Sequence, residues 1–343
     1  MSDKLLQISD PLLGWYDKNM RPLPWRLDRE PYHVWISEIM LQQTRIEAVV
    51  RYYDRFMRAL PDVDSLSRVD DDALMKLWEG LGYYSRARNL KKAARVMMEE
   101  HAGTFPKTYA ELRKLPGIGD YTAGAIASIC YDEPVPAVDG NVLRVIARLT
   151  ADRDNVLLPQ TKKRVTEHLR AVMPSRSGAF NEALMELGEL ICLPNGAPLC
   201  EHCPLSTYCK AYREGLTQEL PVRVRTVKRS RCDKTVLLLY DADGRLAVEK
   251  RPDKGLLSGM YQLPNRDGFL TAHEIAAALC EIGITPGEPQ HIKDAKHVFT
   301  HIDWYMKGWR VTALKGHGRF IWVTERELRD SCPLPTAFQK LLS

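Results

Sequence analysis

The 343-residue chain reads as two domains of different class: a mostly α-helical domain over 1–216 and a small α+β domain over 232–343. Three observations point there. The length suits two domains at roughly 100–200 residues each. Apolar residues follow helical spacing up to about 216, and strand-like runs take over after 231. The charge is also concentrated between them. Lys+Arg 49 against Asp+Glu 44 gives +5, and residues 221–231 alone carry five basic side chains and no acidic one. Residues 217–231 are therefore read as a basic linker, its charged segment 221–231 opened by Pro221.

In the first domain, residues 32–60 read as one helix, with Ile36, Ile39, Met40, Ile46, Val50, Tyr53, Met57 and Leu60 at helical spacing. Further helical stretches are 71–80, 86–101, 108–114, 120–130, 139–149, 160–172 and 178–191. Asp70 and Thr108 are candidate N-caps. Pro61, Pro106, Pro116, Pro134, Pro136, Pro159 and Pro174 fall between stretches, where helix breakers belong. In the second domain, 234–240 and 245–251 read as strands joined by the turn Asp241–Gly244. Residues 271–283 read as a helix, 297–306, 308–314 and 319–323 as strands, and 335–342 as a short helix.

The composition, 45% hydrophobic and 27% charged, excludes wholesale disorder and a collagen-like repeat. No apolar run approaches the roughly 20 residues of a membrane helix, and the first residues lack a secretory-signal pattern. The expectation is a cytoplasmic protein without a membrane partner.

Four of the eight cysteines, Cys192, Cys200, Cys203 and Cys209, are spaced C-x7-C-x2-C-x5-C. In a reducing compartment such density implies a metal rather than disulfides. The unequal gaps on one loop suit an iron–sulfur cluster better than zinc, which often uses paired short knuckles; spacing alone leaves both open. Residues 115–123 (LPGIGDYTA) place Gly117 and Gly119 before a helix. Backbone N–H groups in such a turn, with a helix N-terminus behind them, form an anion site suited to a DNA phosphate. An ordinary helix–turn–helix junction would also read this way. Eighteen residues after Tyr121, Asp139 in VDGNV opens the next helix, as a cap or as a carboxylate facing a site.

Taken together, LPGIG-x-Y, VDGNV and the cysteine set resemble the helix-hairpin-helix DNA glycosylases with an iron–sulfur cluster. Within that superfamily, Ser37–Thr44 (SEIMLQQT) and Gly80–Arg88 (GLGYYSRAR) are similar to the adenine DNA glycosylases, the MutY family. The resemblance is close over about the first 215 residues and looser beyond. It implies a [4Fe–4S] cluster, one per chain, on Cys192, Cys200, Cys203 and Cys209 in a loop over 192–209. It implies duplex DNA with adenine opposite 8-oxoguanine or guanine as substrate, and a protein acting as a monomer. Family members most often have six residues in the first cysteine gap, and this chain has seven.

The resemblance also implies roles. Glu38 would be the acid that protonates adenine at N7, for which a partly buried carboxyl with a raised pKa is suited. Asp139 would stabilise the oxocarbenium-like sugar, as in the two-carboxylate division of labour in glycosidases. Tyr121 and Asn141 would hold Asp139 and the sugar. Arg26 and Glu182 would lie beside the adenine. The base must be flipped out of the duplex, so Gln43 and Tyr83 would insert beside the orphaned partner, with Leu81 packed against them. Thr44, Arg86, Gly117 and Gly119 complete the implied DNA contacts, with Arg88 and Lys210 as further positive groups.

The C-terminal domain resembles a Nudix fold. Its stretch Glu274–Ile284 lacks the Arg-Glu pair and double Glu of a working Nudix box, so the implied role is lesion recognition rather than diphosphate hydrolysis. Phe299, Thr300 and His301 would form the 8-oxoguanine loop, Thr300 replacing a common serine. Two alternatives stay open. One is an endonuclease III-like glycosylase that also cuts the strand; that family carries a Schiff-base Lys where this chain has Tyr121. The other is a non-catalytic lesion-binding protein with a structural metal.

Overall fold

A computed structural model describes residues 5–224, 229–252 and 254–342. They divide into two compact units, each drawn from separated stretches of chain. The first takes the described residues up to 68 and from 89 to 224, the second 69–88 and the described residues from 229 onward. Among the described residues, no helix is long and apolar enough to cross a membrane.

The helices, in chain order, are α1 (Ser9–Asn19), α2 (Pro31–Leu41), α3 (Ile46–Ala59), α4 (Val63–Arg68), α5 (Asp71–Leu77), α6 (Ser85–Glu100), α7 (Tyr109–Leu112), α8 (Asp120–Tyr131), α9 (Gly140–Thr150), α10 (Pro159–Arg170), α11 (Ser177–Leu190) and α12 (Lys210–Arg213). The expected helix over 32–60 is two helices. Gln43 adopts φ +62° and the chain turns between Leu41 and Ile46. Left-handed backbone cannot continue a right-handed helix, although the apolar spacing runs straight through the break. Asp70 accepts from the N–H groups of Asp72 and Ala73, and Thr108 from that of Glu111, as the capping pattern predicts.

A core of Leu12, Val142, Ile146, Leu169, Phe180, Ala183, Leu184 and Leu187 binds α1, α9, α10 and α11 together. Leu220 is buried in it and Val222 packs against it. The stretch expected to be a free linker therefore begins docked: the Val156 N–H donates to the Val222 carbonyl at 3.1 Å, and Asn155 bonds Val224. Arg225 and Lys228 of the basic run lie outside the described residues.

The second unit is built on strands β1 (Ser230–Tyr240), β2 (Leu246–Lys250), β3 (Tyr261–Gln262), β4 (Asn265–Asp267), β5 (Thr285–Pro286), β6 (Gln290–Val298), β7 (Ile302–Lys315) and β8 (Ile321–Val323), with helices α13 (Ala272–Glu281), α14 (Glu325–Asp330) and α15 (Thr336–Leu342). β1 pairs in parallel with β7 and antiparallel with β2 and β4. The strands expected at 297–306 and 308–314 are drawn differently. β6 and β7 form one antiparallel hairpin turning at 299–301, where the Phe299 N–H bonds the Ile302 carbonyl. Gly308 does not interrupt β7; it sits where an added Cβ would lie 2.9 Å from Leu341, so it marks close packing rather than a turn.

Core side chains of Trp304, Met306, Val236, Val248 and Phe338 lie on one side of the sheet, and those of Leu239, Ile275, Leu279 and Val311 on the other. Residues 69–88 are bound to this unit by named contacts. Asp72 pairs with Lys250 at 2.7 Å and accepts from Tyr261, while Glu79 accepts from the Leu334 N–H at 2.9 Å.

Candidate functional site

In the first unit a cleft of about 1060 Å³ is lined by residues from α2, the turn after it, α8, α9 and α11. Glu38 comes from α2 and is only 7% exposed. The Tyr121 hydroxyl, from α8, donates to Glu38 Oε2 at 2.6 Å. Burial raises the Glu38 carboxyl to about 7; the Tyr121 bond and Arg26 oppose the rise, and the Asp139 and Glu182 charges add to it. Burial also lifts the Tyr121 phenol well above its ordinary range, so it remains a donor at neutral pH.

Asp139 serves as both the N-cap and a cleft carboxylate. Its Oδ1 accepts from the Val142 N–H at 2.8 Å, and Oδ2 from Asn141 Nδ2 at 3.0 Å. Burial pushes Asp139 up, while these bonds and Arg144 pull it down. The two carboxyls thus differ in kind. Glu38 has one hydrogen-bond donor, whereas Asp139 has a helix N-terminus, an amide and a nearby guanidinium favouring its charge.

Arg26 pairs through Nε with Glu182 at 3.3 Å, and its NH2 bonds Glu186 at 2.9 Å. Glu186, 1% exposed, also accepts two bonds from the Arg21 side chain at 2.7 and 2.9 Å. Burial alone would raise Glu186, but the Arg21 and Arg26 hydrogen bonds outweigh it and bring it down to about 2. Sequence reasoning did not single out Glu186. The signal was available: Glu182, Glu186 and Glu189 fall at i, i+4 and i+7 on α11, one helix face.

Gln43 and Thr44 line the same cleft, Gln43 exposed at the turn. The hairpin leading into α8 has Gly117 at φ +76°, where a Cβ would stand 2.5 Å from Asn89. Gly119 caps α8 with no side chain in the way, and buried Leu115 and Ile118 anchor the turn.

The four clustered cysteines line one cavity with Val145, Arg148, Leu187 and Leu205. The seven-residue first gap closes on itself: the Leu199 N–H bonds the Ile191 carbonyl at 2.9 Å, and Gly196 turns the loop at φ +75°. Among the described residues no three His, Cys, Asp or Glu side chains are grouped tightly enough to hold one metal ion. Arg148 reaches Cys192 Sγ at 3.2 Å, and Arg144 Nε bonds the Cys192 carbonyl at 2.7 Å. Lys210 is half exposed and pairs with Glu214 at 3.8 Å.

The second unit holds the other group of sequence-selected residues. Leu81 is buried, and Tyr83 is 46% exposed on a left-handed backbone at φ +46°. Its hydroxyl lies 3.1 Å from Thr300 Oγ1. Phe299 packs between the rings of His297 and Trp304, at 4.6 and 4.9 Å. Thr300 and His301 are exposed at the hairpin tip.

Arg86 differs from a surface phosphate contact. It is 9% exposed, bonds the Leu81 and Gly82 carbonyls, and lies over the Trp78 and Tyr83 rings. It braces the loop that carries Tyr83. Arg88 donates to the Ser258 carbonyl at 2.8 Å.

Residues 36–175 match the HhH-GPD superfamily of base excision DNA repair proteins, and 235–343 match the NUDIX domain. The adenine DNA glycosylase of Mus musculus is 35% identical, over 85% of this chain and 68% of its own. That of Buchnera aphidicola subsp. Baizongia pistaciae is 32% identical, over 97% and 95%. Among solved structures, a thermostable thymine-DNA glycosylase aligns at TM-score 0.56 and 28% identity, covering 62% of this chain and 98% of that one.

Proposed function

The chain belongs to the adenine DNA glycosylases, DNA N-glycosylases of base excision repair, and we propose that it excises adenine paired with 8-oxoguanine or guanine. The observation that carries this reading is the buried Glu38 carboxyl, raised to about 7 and bonded by Tyr121 on the wall of the cleft. A carboxyl with that pKa is substantially protonated at neutral pH and can still give its proton away.

In this reading a flipped adenine enters the cleft, because its reacting bond is inaccessible inside a duplex. Tyr121 occupies Glu38 Oε2, which leaves Oε1 to carry the proton toward N7. The electron pair of the bond between N9 and the sugar carbon departs with the protonated base. Positive charge then develops on the sugar and is met by Asp139, ionised and held by the Val142 N–H and Asn141. Water adds to the sugar carbon, and its proton returns to the carboxylate pair. Arg26 and Glu182 offer a donor and an acceptor for the base edge, with Arg26 fixed by Glu186. Tyr121 has no amine, so no Schiff base with the sugar forms at that position.

Gln43 and Tyr83 are the side chains assigned to fill the vacated stack; each is exposed on a left-handed turn that aims it outward. Phe299, Thr300 and His301 are assigned to the 8-oxoguanine. Support comes from their place on an exposed hairpin tip bonded to Tyr83. Cys192, Cys200, Cys203 and Cys209 suit a [4Fe–4S] cluster. Support comes from the cavity that all four line and from Arg148, whose guanidinium reaches Cys192 Sγ at 3.2 Å, where a positive group suits a thiolate. When bound, such a cluster supplies a covalent tie between the end of α11 and the loop before α12. A brown colour of the purified protein supports it, and a colourless zinc-loaded protein rejects it.

The test is a duplex series with each base placed opposite adenine. Free adenine released fastest opposite 8-oxoguanine, with no borohydride-trapped covalent adduct, is the expected result. Trapping at high yield, or mispair binding without release, overturns the assignment.

A further inference from the structure

We propose that Glu189 is a positioning residue for base excision, holding Asn141 and through it Asp139; this rests on the assignment of Asp139 made above. Glu189 follows Glu182 and Glu186 on the cleft face of α11, but its carboxylate serves a different partner. Glu182 and Glu186 hold arginines, whereas Glu189 Oε1 accepts from Asn141 Nδ2 at 3.0 Å. The same Nδ2 donates to Asp139 Oδ2 at 3.0 Å, and Asn141 Oδ1 accepts from Arg144 NH2 at 2.8 Å. An amide nitrogen has two N–H groups, one for each carboxylate. Every hydrogen-bonding group of the Asn141 amide except the second oxygen lone pair is thereby used. Its orientation is also fixed, because flipping the amide would turn its oxygen toward two carboxylates and its N–H groups toward a guanidinium.

The backbone supports the same arrangement. Gly188 brings α11 so close to α9 that an added Cβ would stand 2.7 Å from Asn141 Cβ, and the Gly188 carbonyl accepts from Arg144 NH2 at 2.8 Å. Glu189 is therefore delivered to Asn141 by a helix that cannot shift away without breaking that contact. Its charge matters as well. Glu189 is exposed and lines a cleft assigned to a polyanion, where a carboxylate repels phosphate. Loss of this carboxylate is therefore not expected to weaken DNA binding, which separates its proposed role from a phosphate contact.

Glu189→Ala leaves Asn141 with Asp139 and Arg144 but frees one N–H, and Asp139 loses a fixed partner. Excision measured in single turnover, with enzyme in excess and saturating, is expected to slow about 3- to 10-fold, the worth of one positioning hydrogen bond. DNA affinity should be equal or tighter. Glu189→Gln retains an acceptor oxygen and should restore a rate within about 2-fold of wild type. In an Asn141→Ala background, Glu189→Ala should add no further loss. A wild-type rate for Glu189→Ala, an equal loss in Glu189→Gln, or fully additive losses in the double variant overturns the proposal. Denaturant midpoints of each variant separate these outcomes from misfolding. Absence of adenine release by the wild type would instead sink the underlying reading of Asp139.

Discussion

Replacing Glu38 with Gln is expected to stabilise the fold while removing the proposed acid. Burial moves this carboxyl from 4.5 to about 7 against the opposing Tyr121 bond, with the Asp139 and Glu182 charges adding to the rise and Arg26 opposing it. Below pH 4.5 the group is protonated in folded and unfolded chains alike, and its burial carries no ionisation penalty. As pH rises from 4.5 to about 7 the unfolded chain ionises first, so stability falls. Above about 7 the full penalty stands. At about 1.4 kcal/mol per pH unit it comes to about 3 kcal/mol. Glutamine keeps the shape and an acceptor for the Tyr121 hydroxyl but cannot ionise. Urea unfolding at pH 8 should therefore place Glu38→Gln about 3 kcal/mol above the wild type, shrinking to about 1 kcal/mol at pH 5. Equal stabilities at pH 8, or an offset independent of pH, would refute a buried, reluctant carboxyl at position 38.

Tyr121→Phe removes the bond that favours ionised Glu38, so the alkaline fall in single-turnover excision should move up by about one pH unit. An unmoved limb would mean that another group sets it. Gly117→Ala places a Cβ on Asn89 at a left-handed position and should cost at least about 1–2 kcal/mol in denaturant unfolding. Gly119→Ala, at φ −90° with open space around it, should cost under about 1 kcal/mol, so a large loss of DNA affinity there would report close approach of the phosphate. Glu186→Gln removes the carboxylate that Arg21 and Arg26 share, leaving Arg26 with Glu182, and should destabilise the fold by about 3 kcal/mol at pH 7. Because folding lowers the Glu186 pKa, this stability is present above 4.5 and disappears as pH falls toward about 2, which acid unfolding of both proteins measures.

Much of the site was legible because its residues sit on local motifs. Asp139 could be read as a cap and as a cleft carboxylate, and the structure uses it as both. What was not legible depends on long-range packing. The break between α2 and α3 leaves the apolar spacing intact, so nothing in the pattern announces that Gln43 turns left-handed. The β6–β7 turn was misplaced because the real turn at 299–301 contains no Gly or Pro to announce it. Helix α14 was missed although Thr324 and Glu327 form a capping box at its start. Membership of 69–88 in the second unit rests on partners more than 150 residues away, such as Asp72 with Lys250, and no local pattern encodes them. Arg86 has the sequence context of a surface cation, and its burial against Trp78 follows only from the folded loop.

The central claim is that Glu38 delivers the proton that releases adenine. The direct measurement is single-turnover release of free adenine from a duplex carrying adenine opposite 8-oxoguanine, comparing wild type with Glu38→Gln. The account predicts release by the wild type and a rate lower by about 10²- to 10⁴-fold in the variant, which remains folded and binds the duplex. A Glu38→Gln rate close to wild type, or no release by the wild type, would contradict it.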